Sequence, residues 1–227
     1  GTIRLIYDGT TCHNNGEATT DSIALSNEYY TTADGLYFNS SYVGWTYTEN
    51  LQRPINNDEA TPSHAKTIVE EWYNNRLISY EDKIATSKYC NDRDLTIDSI
   101  YSGMGTPFNY AGSKRIHNDF KPQLNCNKDD TYKLKVGLIT ADEVALAGGT
   151  NGDNKEYYLY NGQNYWTMTP YFWENTWGFA RVFFINDYGK IAYNGVYFNE
   201  AGIRPVINLK VDAPVTGNGT INSPYLI

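Results

Sequence analysis

The chain has 227 residues, of which 41% are apolar, and a formal net charge of −8 at pH 7. That length can bury a substantial core, whereas the acidic balance leaves no basic patch to neutralise phosphates and argues against nucleic acid as a partner. No apolar run approaches the roughly 18 residues of a membrane span, so no membrane insertion is expected of this segment.

The composition is that of strands and loops. There are 21 Tyr and 5 Trp against 2 Met, and only 19% of residues are charged. Aromatic and β-branched residues suit a pleated, half-buried surface, while Gly and Asn suit turns. Taken in chain order, Gly1-Thr2-Ile3-Arg4-Leu5-Ile6 reads as a strand from the outset. No signal peptide is visible, so a targeting segment is expected upstream. A helix is predicted over Thr61 to Ile78, capped by Thr61 with Pro62 at its first position. Its apolar stripe is Ile68, Val69, Trp72 and Tyr73.

From Asn91 to Asp130 the chain is long, polar and turn-rich, which inside a domain points to a disulfide tie or a function. Within it, Arg93 between Asp92 and Asp94 is read as a bridge between loops. A short strand, Val136 to Ile139, leads into a second helix. There Thr140 and Glu143 form a capping box, Asp142 favours the positive end, and Gly148-Gly149 stops the helix. Tyr157 to Tyr160 reads as a strand that turns at Asn161-Gly162 into Tyr165 to Met168. Phe179 to Asn186 and Lys190 to Val196 read as a hairpin, and Ile203 to Leu209 as the last strand. With no repeat and no linker, residues 1–227 read as one domain. Cys12, Cys90 and Cys126 lack zinc spacing and allow either one disulfide with a free thiol or a reduced protein.

The order helix, long loops, strand–short helix, terminal hairpins resembles the C-type lectin fold, an α+β class with two main helices, short antiparallel strands and long loops. The run Gly137-Leu138-Ile139-Thr140-Ala141-Asp142-Glu143-Val144-Ala145-Leu146-Ala147-Gly148-Gly149 is similar to an element shared by formylglycine-generating enzymes and the variable proteins of diversity-generating retroelements. Tyr165-Trp166-Thr167-Met168-Thr169-Pro170 and Ala201-Gly202-Ile203-Arg204-Pro205-Val206-Ile207-Asn208-Leu209 resemble two strands of the same branch. RLIYDGTTCHNNG near the start and GNGTINSPYLI at the end resemble domains of surface proteins from gut Firmicutes, often part of longer pilin-like or wall-anchored chains. The resemblance implies an extracellular domain on a bacterial surface or a phage virion. Such a compartment is oxidising, and residues 91–125 lack an obvious core, so a Cys90–Cys126 bridge is expected.

The resemblance also implies where a ligand would sit, because variable proteins bind through the segment before the closing strand, here Tyr171 to Glu200. Tyr beside Asn, Ser and Gly is also what binding loops use. The candidate surface is Tyr171, Phe172, Trp173, Glu174, Asn175, Trp177, Phe179, Arg181, Tyr188, Tyr193, Asn194, Tyr197 and Phe198, with a protein or glycan as ligand. Trp173, Glu174 and Trp177 depart from the diversified pattern, since changes in the first two bases of an Asn codon give neither Trp nor Glu. Trp166, Phe183 and Ile185 are assigned to the core. Strand alternation turns Ala180 and Val182 inward and Phe179 and Arg181 outward, and it keeps Phe183 and Phe184 off one shared face.

Competing chemistry finds little footing. The Glu-Pro-Asn and Gln-Pro-Asp tripeptides of calcium-dependent lectins do not occur, and Trp173-Glu174-Asn175 and Ile185-Asn186-Asp187 are partial echoes only. A hard cation needs six to eight oxygens, so no metal and no cofactor are expected. The block after Trp166 has no Cys to match the copper-binding pair of formylglycine-generating enzymes. Cys12 with His13, His64 or His117, and the carboxylates Asp92, Asp94 and Glu143, offer no arranged catalytic set, so catalysis is not expected. The alternatives are an architectural domain of a pilus or wall protein, and an inactive relative of the sulfatase-modifying enzymes.

Overall fold

The computed structural model describes residues 2–9, 29–31, 43–47, 61–98, 108–174, 179–218, 220, 222, 223 and 226. The class is α+β, with all strand pairs antiparallel. Strand β1 (Ile3–Ile6) pairs with β11 (Val206–Leu209), which pairs in turn with β7 (Val136–Gly137), so the two ends of the chain share one sheet. A four-stranded sheet runs in the order β10 (Ile191–Gly195), β9 (Phe179–Ile185), β8 (Tyr165–Glu174), β5 (Phe108–Asn109). Two ribbons complete the set: β2 (Thr46–Tyr47) with β3 (Thr61–Pro62), and β4 (Ser87–Cys90) with β6 (Thr131–Leu134). Cys90 and Cys126 form a disulfide that ties the polar stretch to the second ribbon. Among the described residues, no helix is long and apolar enough to cross a membrane.

Helix α1 (His64–Arg76) begins later than the predicted Thr61. Ser63 holds the cap, with extended dihedrals and a side chain that accepts from the Lys66 N–H at 3.1 Å. Thr61 and Pro62 belong to β3 instead, a position at a ribbon edge where proline's missing N–H costs little. Ala65, Val69 and Tyr73 are buried, while Ile68 and Trp72 are partly so. The predicted stripe is therefore the packed face.

Helix α3 (Ala141–Leu146) follows local rules closely. Thr140 Oγ1 accepts from the Glu143 N–H at 3.1 Å, and Glu143 Oε2 accepts from the Thr140 N–H at 2.8 Å. Such a reciprocal cap satisfies two otherwise orphaned donors. Gly148 then takes φ +109°, a left-handed conformation that a β-carbon resists. Between β5 and β6 the chain forms a helical segment that the sequence did not announce: α2 (Ala111–Ser113) runs directly into a π-helical turn, Lys114–Asn118. The segment 157–160 is a turn rather than the predicted strand, closed by the Tyr160 N–H on the Tyr157 carbonyl at 3.0 Å. Tyr157, Leu159 and Tyr160 are nonetheless buried, so their apolar character serves packing without a ladder.

The predicted hairpin is present as β9 and β10. Asn186 Oδ1 accepts from the Tyr188 and Lys190 N–H groups and closes the turn. Trp166, Phe183 and Ile185 lie in the core. Phe183 and Phe184 are both buried, and they project to opposite faces of the sheet as alternation requires. The four-stranded sheet is covered on both faces: Phe184 packs on Trp166 and Phe198, and Phe183 on Tyr171 and His117.

Candidate functional site

Register decides which residues share a face, because residues paired across strands project to the same side. Phe172 pairs with Arg181, Arg181 with Gly195, and Phe183 with Tyr193. Phe172, Arg181, Phe183 and Tyr193 therefore share one face of the sheet. The ladder shifts between Pro170 and Phe172: Pro170 faces Val182 and Phe172 faces Arg181, which leaves Tyr171 as an extra residue on β8. A bulge is where a sheet tolerates proline, and it re-aims the side chain it inserts.

Tyr171 consequently stacks on Tyr193, with centroids 3.8 Å apart and planes 8° from parallel. Phe183 lies beneath and meets Tyr171 edge-on at 4.8 Å. The Arg181 guanidinium sits 5.5 Å from the Tyr193 ring and 5.9 Å from the Phe172 ring. A β-carbon on Gly195 would fall 2.2 Å from Tyr197 Cε1, so the Tyr197 ring rests against the backbone beside Arg181, where only glycine fits. Tyr193 is 39% exposed; Tyr171, Phe172, Arg181 and Tyr197 are half-buried.

One member of this face was not foreseen. His117, on the π-helical turn, packs on Tyr171 (5.4 Å), Phe183 (5.1 Å) and Tyr193 (5.9 Å). Its Nε2–H donates to the Ile191 carbonyl at 3.0 Å. In sequence it is one His in a polar stretch far from β10, and nothing local marks it. The turn that carries it is anchored from its other side by Arg115, which donates to Asp142 through Nε (2.7 Å) and Nη2 (2.6 Å) and also pairs with Asp92. Asp142 further accepts from the Gln123 N–H. Asp142 thus holds a neighbouring element, and the bridge formed by Asp92 runs to Arg115, a partner that the Asp92-Arg93-Asp94 run did not suggest.

Electrostatics follow from burial. Desolvation pushes the Tyr171 hydroxyl above the ordinary tyrosine value, and the adjacent Tyr193 adds to this. Burial holds His117 below its usual value of 6.5, with Lys190 acting the same way against the bond to Ile191. The unfolded chain therefore protonates His117 at a pH where the folded protein still resists. The linked stability is full above 6.5 and declines as pH falls towards the folded-state value. Thermal melts from neutral to about pH 5 should show this decline, and His117→Gln should flatten it.

The face thus offers ring edges and faces, tyrosine hydroxyls, and a guanidinium with its fork of donors. The other predicted residues are distributed differently. Trp173 is a correction: it is 2% exposed, on the opposite face, paired with the small Ala180. The bulge resets the register after Pro170, and the alanine methyl leaves room for the indole. Phe198 packs on Trp166 and Phe184, inside that opposite layer. Asn194 pairs with Val182 on the same side and turns its Oδ1 back to the Gly195 N–H. Tyr188 is exposed at the hairpin tip with Lys155 over its ring. Asn175 and Trp177, with the side chains of Glu174 and Phe179, lie outside the described residues.

For a metal, Asp92, Asp94 and Asp130 bring one carboxylate oxygen each within 4.8 Å of the others. All three already serve internal partners: Asp92 pairs with Arg115, Asp130 accepts from the Arg93 N–H at 2.9 Å, and Asp94 accepts from the Asn127 side-chain amide at 3.1 Å. Burial is the main reason the Asp92 carboxyl is raised, with Arg115 opposing. The absence of a basic patch, expected from net charge, is also corrected. Lys66, Lys88, Lys128 and Lys133 line one groove of about 720 Å³ beside β4 and β6.

A family model described as a domain of unknown function (DUF6273) matches residues 125–211, which runs from the second half of the disulfide through β11. That segment holds Tyr171, Phe172, Arg181 and Tyr193, but not α1 or His117. No curated protein and no solved structure matches the chain.

Proposed function

We propose that this chain is an extracellular ligand-binding domain of C-type lectin type, akin to the variable proteins of diversity-generating retroelements. It binds a protein or glycan through the face of Phe172, Arg181, Tyr193, Tyr171 and Tyr197. The observation that carries this reading is the half-exposed ladder in which Arg181 lies against two rings while Tyr171 and Tyr193 stack beside it. Rigid aromatic groups bury area at little ordering cost, and the arginine fork adds direction. The order of elements supports the lectin-type reading: α1, long loops, β7 followed by the capped α3, then the hairpins of β8 to β10. In this reading the domain sits on a bacterial surface or phage virion within a longer anchored chain, and it binds without turnover.

The test is a binding screen of the wild-type domain and Arg181→Ala over immobilised glycans and surface proteins. The variant should lose at least about 2 kcal/mol of affinity for the strongest binder, roughly thirty-fold, as hot-spot residues do. Equal binding by both proteins would remove this face as the site.

A further inference from the structure

The lysine groove beside β4 and β6 lies apart from the aromatic face and carries its own chemistry. Lys88 and Lys133 are direct partners across the ribbon. Like charges placed opposite each other on a sheet destabilise it. Lys128, just before β6, and Lys66, on α1, complete the lining, and no carboxylate lines the groove among the described residues. Lys66 pairs with Glu70 on its own helix, whereas Lys88, Lys128 and Lys133 are exposed and meet no carboxylate among the described residues. The chain has 26 Asp and Glu against 18 Lys and Arg, so acidic partners are abundant. Among the described residues, three ammonium groups around one concavity have no carboxylate partner, the opposite of what such a surplus favours.

We infer that this groove binds a stretch of an extended, non-aromatic polyanion, whose repeated carboxylates or phosphates meet Lys88, Lys128 and Lys133. Lysines from β4, β6, α1 and the segment before β6 line one groove of about 720 Å³, which has room for several anionic groups of one chain. Nucleic acid fits less well, because bases need exposed rings to stack on. The one lining ring, Tyr132, is buried, with its hydroxyl bonded to Thr46 at 2.5 Å. Lysine serves here as a mobile point charge, suited to anions that recur along a chain without fixed geometry.

The experiment is calorimetric titration of the full chain with polygalacturonate and, separately, with inorganic polyphosphate, alongside an uncharged glucan and single-stranded oligothymidylate. At least one polyanion should bind at about 50 mM salt and weaken markedly by about 200 mM. Which of the two binds tells a uronate from a phosphate source. The triple variant Lys88→Gln, Lys128→Gln, Lys133→Gln should bind at least about tenfold more weakly with an unchanged melting temperature. If that variant does not fold, Lys88→Glu alone decides, and an unaltered affinity there overturns the inference. It is also overturned if neither polyanion binds, if the triple variant binds like wild type, or if oligothymidylate or the glucan binds as tightly.

Discussion

Trp173→Ala is expected to lower the stability of the domain by about 3–5 kcal/mol, the usual cost of deleting a buried indole and leaving a cavity. The expectation rests on its place rather than its neighbourhood in sequence. Glu174 and Asn175 follow it, and the polar setting suggests a surface. Yet the bulge at Pro170–Phe172 sets it opposite Ala180, and only 2% of it remains exposed. Chemical denaturation of wild type and variant measures the difference. A loss within about 0.5 kcal/mol, typical of exposed positions, would return Trp173 to the binding surface.

Arg115→Ala should cost a similar amount, about 3–5 kcal/mol near neutral pH, because it leaves buried carboxylates without their cation. Asp92 and Asp142 have side chains only 8% and 5% exposed, and both pair with Arg115. The deficit should also depend on pH with a definite sign. Burial already raises the Asp92 carboxyl above 3.8 despite Arg115, and removing the cation raises it further. The penalty belongs to the charged form, so it is full at neutral pH and shrinks as pH falls through the raised folded-state value towards 3.8. Melts of both proteins at neutral and mildly acidic pH check this, and a deficit that grows on acidification would contradict the assignment. The same variant should disturb the aromatic face, since Arg115 anchors the turn that seats His117 against Tyr171 and Tyr193.

What could be read from the sequence was local. The capping box of Thr140 and Glu143, the glycine stop at Gly148 and the Asn186–Gly189 turn each depend on a few adjacent residues, and each forms as the residues dictate. The start of α1 was misplaced because Thr61-Pro62 and Ser63 both carry a cap signal, and pairing of β3 with β2 chose between them. The helical turn at 111–118 was invisible for a different reason. KRIHN has no apolar period, and its anchors are Asp92 and Asp142, each more than twenty positions away. At the candidate face, alternation along β9 placed Arg181 outward on β9's paired face. It could not say that Tyr171 and Phe172 would point the same way, although Pro170 inside a strand was the available hint of a bulge. His117 arrives wholly through tertiary packing.

The central claim is that the ring-and-arginine face holds the ligand. Its most direct test is chemical-shift mapping of the labelled domain on addition of the strongest binder from the screen. The largest shifts should fall on Phe172, Arg181, Tyr193 and Tyr197 and extend to the His117 ring. A silent face, with the shifts gathered elsewhere on the domain, would contradict it.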